Sequence, residues 1–257
     1  MSSAEQFVAF MTIVRKEIKR FLRIWTQTLL PSAITMSLYF VIFGTLIGSR
    51  IGEMGGFTYM QFVVPGLIMM AIVTNSYSNV VSSFFGAKFN HSVEELLVSP
   101  TPNYVILMGF VVGGVSRGLL VAIVVTLVSL FFTRLDIHSY AIVILTVLMT
   151  STLFALAGFI NAVFANSFDD ISIIPTFVLT PLIYLGGVFY SMDLLPEFWA
   201  NVSKLNPLVY VVNAFRYGVL GVSDVSLSFA LGMIGLFTAF AFGFSMHLLN
   251  SGTRLRQ

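Results

Sequence analysis

The chain has 257 residues, of which 57% are hydrophobic and only 9% are charged, and its mean hydropathy is +0.95. Soluble chains carry about 25% charged residues, so this composition excludes a water-facing globule of this size and makes the lipid bilayer its solvent. The formal net charge of +2 gives no reason to expect a nucleic-acid partner, and the absence of cysteine excludes disulfides, thiol catalysis and cysteine-ligated metals.

Residues 1–25 predict an amphipathic helix. Its apolar side chains recur at steps of three and four, and its basic side chains fall largely on the other face. The apolar set is Phe7, Met11, Val14, Ile18, Phe21, Leu22 and Trp25, and the basic set is Arg15, Lys16, Lys19, Arg20 and Arg23. Such a helix lies in the membrane interface with its cationic face toward anionic headgroups. The alternative is a plain surface helix, but Trp25 leads directly into an apolar segment, which favours the interface.

Six apolar segments follow, each close to the roughly 20 helical residues that cross a hydrocarbon core. Pro175 and Pro181 each remove a backbone hydrogen bond from the fifth segment and predict a kink there. The sequence therefore predicts an all-α membrane protein, one domain over residues 1–257 with six transmembrane helices. The segments lie at 28–48, 58–85, 104–132, 139–165, 171–190 and 226–249.

Residues 191–222 form a further, semi-apolar region before the sixth segment. Pro196 and Asn206-Pro207 divide it into pieces that are too short to cross a bilayer. Irregular backbone survives at membrane depth where it is buried in protein. We therefore expect a re-entrant pair of half-helices on the extracytoplasmic side.

Lysine and arginine are distributed unevenly over this topology. One side holds eight of them: Arg15, Lys16, Lys19, Arg20, Arg23, Lys88, Arg254 and Arg256. The other side holds four: Arg50, Arg134, Lys204 and Arg216. The positive-inside rule places the richer side, with both termini, in the cytoplasm. An even number of crossings also puts both termini on one side, which agrees with a 191–222 region that does not cross.

The longest cytoplasmic loop, 86–103, predicts a short helix across the ends of the second and third spans. Ser92 and Glu95 have the spacing of a capping box, and Pro100 and Pro102 stop the helix. The sequence has no G-x-x-x-x-G-K-[ST] phosphate loop and no segment long enough for a nucleotide-binding domain. If ATP powers this protein, another chain hydrolyses it and this loop is the candidate docking element. A merely solvated hairpin is the alternative.

Several motifs occur here in a fixed order. They are Glu94-Glu95-Leu96-Leu97-Val98-Ser99-Pro100, Phe168-Asp169-Asp170, Gly186-Gly187-Val188-Phe189-Tyr190, Leu195-Pro196, Asn206-Pro207-Leu208-Val209-Tyr210 and Arg216. With six spans and an amphipathic N-terminal helix, this order resembles the ABC type 2 transporter permease family over nearly the whole chain.

The resemblance implies a subunit of the bacterial inner membrane that forms a homodimer or heterodimer and binds two ATPase subunits. ATP and Mg²⁺ are then bound by the ATPase, and this chain carries no cofactor and no catalytic residue. The resemblance assigns contact with the ATPase to Glu94, Glu95, Leu96 and Leu97, in a short coupling helix. It implies export of a hydrophobic, lipid-like, drug or glycan substrate, without choosing among them.

Arg117 lies near the middle of the third span, where an ionisable residue is costly and by default marks a functional site. On the second span, Asn75, Asn79 and Ser82 recur at steps of four and three as one polar stripe. At 1.5 Å per residue, Asn75 lies roughly 15 Å and Arg117 roughly 20 Å from the cytoplasmic ends, so the two can meet. They either line a cavity for an anionic or amphipathic substrate or bond neighbouring helices together.

Two classes of function stay open. The first is a non-catalytic permease energised by a partner ATPase, and the second is a secondary carrier driven by an ion gradient. A secondary carrier is expected to show ionisable residues near the midplane of several spans, broken central helices and repeated halves. This sequence offers Arg117 alone, one proline-kinked span and no detectable repeat, which favours the permease.

Overall fold

The protein folds almost entirely into helices in a computed structural model that describes residues 1–252. In chain order these are α1 (Ser3–Arg23), α2 (Trp25–Ile51), α3 (Tyr59–Phe89), α4 (Ser92–Val98), α5 (Asn103–Ser129), α6 (Tyr140–Phe164), α7 (Asp170–Tyr184), α8 (Glu197–Ser203), α9 (Pro207–Leu220) and α10 (Leu227–Ser251). A short hairpin of two antiparallel strands with two residues each, β1 (Glu53–Met54) and β2 (Phe57–Thr58), joins α2 to α3. The predicted all-α class is confirmed.

Within residues 1–252, five helices are long and apolar enough to cross a membrane, by length and composition: α2, α3, α5, α6 and α10. They fall on five of the six predicted segments. The remaining segment is covered by α7, which at 1.5 Å per residue is about 22 Å long and therefore shorter than a hydrocarbon core of about 30 Å. Pro175 starts a π-helical turn, Pro181 follows it, and the helix ends at Tyr184 instead of continuing to 190. A sixth crossing stays a prediction.

The chain leaves helical geometry after α7 but remains inside the protein. Gly187 has a φ of +73°, which side chains with a Cβ rarely adopt. Arg216 Nη2 donates to the Gly187 carbonyl at 2.6 Å, and the Tyr59 hydroxyl donates to the Phe189 carbonyl at 3.1 Å. Irregular backbone at membrane depth needs such partners. The segment 185–190 therefore meets the physical condition for continuing the crossing that α7 begins.

α3 forms the centre of the bundle. In its most apolar stretch 78% of the residues are buried, against 11% in α2 and 17% in α10, so α3 is enclosed by protein while those two expose apolar faces. Glycines allow α5 and α6 to approach it. A Cβ on Gly158 would lie 2.5 Å from the Tyr77 carbonyl oxygen, and one on Gly118 would lie 2.2 Å from Ser76 Oγ. Small residues at such contacts are typical of helix packing in membranes.

The connections divide between two ends of the bundle, called here the α4 end, with residues 86–103, and the hairpin end, with residues 52–58. α8 and α9 lie at the hairpin end, and each is too short to cross a bilayer. At the α4 end, Lys88 Nζ donates to the carbonyls of Val163 and Ala165 at 2.8 Å each, which satisfies the last turn of α6.

The charge count assigned Arg216 to the poorer set, on the extracytoplasmic side. It lies within α9, the second of the two short helices of the 191–222 region, and is fully buried. Because the bundle encloses this guanidinium, it is not a loop charge of the kind that the positive-inside rule compares. Arg254 and Arg256 lie outside the described residues. The charge asymmetry between the two ends therefore depends mainly on the basic residues of α1.

Candidate functional site

α4 occupies the predicted position but begins differently. His91 is its N-cap residue, with a φ of +58°, and Ser92 is the first helical residue. The Ser92 hydroxyl donates to the Ala87 carbonyl at 3.0 Å and makes no capping bond to the helix. The predicted capping box is therefore wrong. A two-residue turn, Asn90 and His91, follows α3, and α4 begins directly after it. Ser92 is therefore the first residue inside the helix, whereas a capping box requires it at the N-cap position just before the helix.

The outward face of α4 combines a carboxylate and an apolar side chain. Glu95 is exposed and Glu94 is partly exposed, with Oε1 lying 3.2 Å from His91 Nδ1. Val98 is 88% exposed. Leu96 and Leu97 are only partly exposed and pack against the core, so they attach α4 to the bundle. Sequence reasoning missed Val98, although an apolar residue at the end of a solvent-facing helix was the available signal.

An exposed aromatic pair lies at the same end of the bundle. Phe89 and Phe168 are 57% and 54% exposed, and their ring centroids are 5.0 Å apart. Phe168 belongs to the turn before α7, in which Asp170 accepts hydrogen bonds from the backbone N–H groups of Asn166 and Ser167. Asp169 takes the N-cap position without a side-chain capping bond. The α4 end therefore carries exposed apolar surface both on α4 and beside it.

A buried carboxylate holds α1 against the bundle. Glu17 is fully buried, and its Oε1 accepts a hydrogen bond of 2.6 Å from Ser83 Oγ on α3. Its Oε2 accepts from Arg20 at 3.3 Å, and Arg20 Nη2 donates at 2.9 Å to both the carbonyl and the Oδ1 of Asn79. Gly113 on α5 makes room for this arrangement, because a Cβ there would lie 2.6 Å from the Glu17 Cβ.

The buried face of α1 differs from the predicted apolar face. Val14 and Phe21 are buried as expected, but Phe7 and Leu22 are exposed. Trp25 belongs to α2, since the helix breaks at Ile24. The other buried residues are Ile13 and Glu17. The prediction omitted Glu17 because a carboxylate in a basic helix has the pattern of a solvated residue, although Ile13, Glu17 and Phe21 recur at steps of four.

Arg117 and Asn75 meet inside the bundle. Arg117 Nε and Nη2 donate to Asn75 Oδ1 at 3.2 and 2.9 Å, and Nη2 also lies 3.4 Å from the Thr28 carbonyl oxygen at the start of α2. Asn75 Nδ2 donates to Ser32 Oγ at 3.0 Å. Among residues 1–252, no carboxylate forms an ion pair with Arg117. The site is therefore cationic and joins α2, α3 and α5.

The rest of the predicted polar stripe contacts a different arginine. Asn79 Oδ1 accepts from Arg20, and Arg20 Nη1 lies 3.5 Å from Ser82 Oγ. Asn79 and Ser82 thus join α1 to α3, whereas Asn75 joins α3 to α5 through Arg117. One stripe on α3 serves two cationic groups that approach it from different helices.

A second buried arginine lies at the hairpin end. The Arg216 guanidinium carbon is 3.9 Å from the centroid of the Phe62 ring, Nη2 is bonded to the Gly187 carbonyl, and Nη1 lies 3.9 Å from Asp224 Oδ2. Asp224 also accepts hydrogen bonds from the Ser191 hydroxyl and the next backbone N–H at 2.8 Å each. Arg216 therefore joins α3, the segment after α7 and the loop after α9.

Long apolar helices around an enclosed central helix, with a short helix at one end, are the architecture of a multi-pass membrane protein. The chain belongs to the ABC-2 type transporter family, whose model matches residues 8–220. It is 58% identical over 250 residues to the inner membrane transport permease YadH of Escherichia coli strain K12, covering 97% of this chain and 98% of that protein. It is 20% identical over 241 residues to nodulation protein J of Neorhizobium galegae, covering 93% and 92% of the two chains. The family resemblance predicted from the motifs is confirmed, and membership implies association with an ATP-binding subunit.

Proposed function

We propose that the chain is the membrane-spanning permease subunit of an ATP-binding-cassette exporter of the bacterial inner membrane. It pairs with a second permease subunit, in the simplest case a copy of itself, and a separate ATPase drives it from the cytoplasm. The single observation that carries the proposal is the family match over residues 8–220. The likeness to a protein named an inner membrane transport permease supports the location and the role.

The α4 end is the proposed ATPase contact, and it faces the cytoplasm with both termini. Glu95 and Val98 supply an exposed carboxylate and an exposed apolar side chain, and Glu94 lies beside them. Leu96 and Leu97 contribute by fixing α4 to the bundle, so that a force on the outward face reaches the spans. The ATPase binds ATP and Mg²⁺, and this chain performs no chemical step.

The test begins with co-purification. A tagged chain is expected to carry with it a protein that has a phosphate loop. Replacement of that loop's lysine by alanine should abolish transport while the complex persists, because the lysine contacts the phosphates and not the permease. A comparison of the amounts of lipids, glycans and drugs in cells with and without the chain should identify the cargo. Transport by the purified chain in vesicles under an ion gradient, without nucleotide, contradicts the proposal and favours the secondary carrier.

The translocation path is proposed to pass Arg117 and Asn75, with Asn79 and Ser82 further along α3. Since no carboxylate neutralises Arg117 in residues 1–252, it can attract an anionic or amphipathic cargo. Asn75 orients the guanidinium through two hydrogen bonds to one oxygen.

Replacing Arg117 by glutamine is expected to lower export about tenfold, because a charge-assisted hydrogen bond contributes roughly 1.5–3 kcal/mol and glutamine keeps only a neutral one. The measurement is the restoration of normal metabolite pools in cells that lack the chain. Dimer assembly and expression should be unchanged. Arg134, an exposed arginine, provides the matched control when it is replaced by glutamine. Normal export by the Arg117→Gln variant would contradict a role in the translocation path and would show that Arg117 only bonds neighbouring helices together.

A further inference from the structure

A polar cleft of about 340 Å³ opens between α1 and the turn that joins α3 to α4. It is separate from the Arg117 site, and the proposed transport function does not account for it. Its polar side chains come from α1, from the last turns of α3, from the turn itself and from the first residue of α4: Lys16, Arg20, Ser82, Ser83, Asn90 and Ser92.

One wall of the cleft is cationic. Arg20 uses Nη2 on Asn79 and Glu17, while Nη1 has only a long contact of 3.5 Å with Ser82 Oγ. Lys16 is exposed, and its ammonium lies 5.9 Å from the centroid of the Phe110 ring. Since the carboxylate of Glu17 is buried and already bonded, two cations face the cleft with one carboxylate behind them. The cleft therefore keeps a net positive charge.

The opposite wall offers hydrogen-bond acceptors. The Ser92 hydroxyl donates its proton to the Ala87 carbonyl, and Asn90 Nδ2 donates to the Gly86 carbonyl at 2.8 Å. Each of these side chains thus retains an oxygen that can accept a hydrogen bond. A ligand that suits both walls carries an anionic oxygen for the cations and hydroxyl donors for Asn90 and Ser92.

The position of α1 indicates that this ligand comes from the membrane. Besides its cations, α1 exposes Phe7, Val8 and Leu22, at 62%, 64% and 44%. A helix that presents both classes of side chain lies at the boundary between acyl chains and headgroups. Anionic phospholipid headgroups are concentrated at this depth, and basic residues there attract them.

We propose that this cleft binds the headgroup of an anionic phospholipid such as phosphatidylglycerol, with its phosphate between Lys16 and Arg20 and its hydroxyls toward Asn90 and Ser92. The lipid then bridges α1 and the turn that leads into α4, and it stabilises the α4 end in one arrangement. This site meets the proposed translocation path at Ser82 and lies apart from Arg117 and Asn75, and its occupancy does not depend on transport.

The test measures lipid binding to the full chain in neutral detergent by native mass spectrometry, with phosphatidylglycerol as the probe and phosphatidylcholine as the neutral reference. The exposed Lys16 is replaced by glutamine. Lys19→Gln is the matched control, because it removes the same charge from the same helix outside the cleft. The Lys16 variant should bind phosphatidylglycerol about fivefold more weakly, which corresponds to the roughly 1 kcal/mol that a direct ion pair at an exposed position contributes. The Lys19 variant should stay within about twofold of the parent chain.

Asn90→Asp provides a second test, since it places a negative charge on the acceptor wall at an exposed position and should also weaken binding of phosphatidylglycerol. Equal losses in the Lys16 and Lys19 variants would overturn the proposal in favour of diffuse surface attraction. Displacement of the lipid by equimolar glycerol 3-phosphate would overturn it in favour of a soluble phosphate ligand. Unchanged lipid binding by the Lys16 variant, with a weakened ATPase complex, would assign the cleft to the partner protein instead.

Discussion

Reversing the charges of Glu94 and Glu95 to lysine is expected to release the ATPase subunit while the membrane domain still folds. Glu95 is exposed, and within residues 1–252 the side chain of Glu94 pairs with the exposed His91. An exposed pair of this kind contributes at most about 1 kcal/mol to stability, so the fold loses little. At an interface, in contrast, like charges brought together cost several kcal/mol. The amount of ATPase that co-purifies should fall more than tenfold, and transport should fall with it.

The control for this experiment is a double reversal at the hairpin end, where Glu53 and Glu197 are also exposed. The Glu53→Lys and Glu197→Lys chain has the same net charge as the α4 variant and should retain the ATPase. Thermal unfolding of both variants in detergent should match that of the parent chain. A complex that survives reversal of Glu94 and Glu95 moves the docking surface away from these carboxylates, and the exposed pair of Phe89 and Phe168 is then the next surface to change.

Replacing Arg216 by methionine is expected to destabilise the fold by about 3 kcal/mol, because removing one member of a buried polar group leaves its partners unsatisfied. The Gly187 carbonyl loses its donor and Asp224 loses its nearby cation. The contact with the face of the Phe62 ring is lost as well. For a chain of this size, such a loss corresponds to a fall of roughly 6–12 °C in the Tm measured in detergent.

Two further variants complete this test. Arg134→Met removes an exposed arginine and should leave the Tm within about 2 °C of the parent value, since surface substitutions change stability by less than about 0.5 kcal/mol. Arg216→Lys should fall between the two, because lysine keeps the charge but not the planar fork of donors. If the Arg216→Met and Arg134→Met chains have equal Tm values, Arg216 is not a structural residue. Its position in a cavity at the hairpin end, which it lines with Asp193 and Asp224, then indicates a role in transport.

The long helices could be predicted from sequence because an uninterrupted apolar run has one stable arrangement in lipid. α3, α5, α6 and α10 begin and end within a few residues of the predicted bounds. The C-terminal end of α7 could not be predicted in this way. There the apolar run continues to 190, whereas the helix stops at Tyr184, because Gly187 adopts a left-handed conformation and side chains of other helices satisfy the backbone.

The polar details depended on contacts between distant segments. The meeting of Arg117 with Asn75 could be derived from their depths in two adjacent helices. The burial of Glu17 could not, because it requires Ser83 from α3 and the space above Gly113 of α5. The capping of α4 by His91 depended on the tight turn after α3, which residue spacing does not reveal. Sequence therefore located the elements, and tertiary contacts decided which faces were buried.

α5 faces α1 with two glycines, and the close contact that they allow has a mechanical consequence. A Cβ on Gly109 would be 2.6 Å from Ile13 Cγ2, and Gly113 is equally close to Glu17, so the backbone of α5 touches the side chains of α1 directly. A change of side-chain rotamer cannot compensate for a displacement at such a contact, because the Cβ atoms of α1 are themselves close to the α5 backbone. α1 and α5 are therefore expected to move together as one rigid unit. Since residues 99–102 join α4 to the start of α5, a force applied to α4 is expected to move α1 and α5 together and not to bend one helix alone.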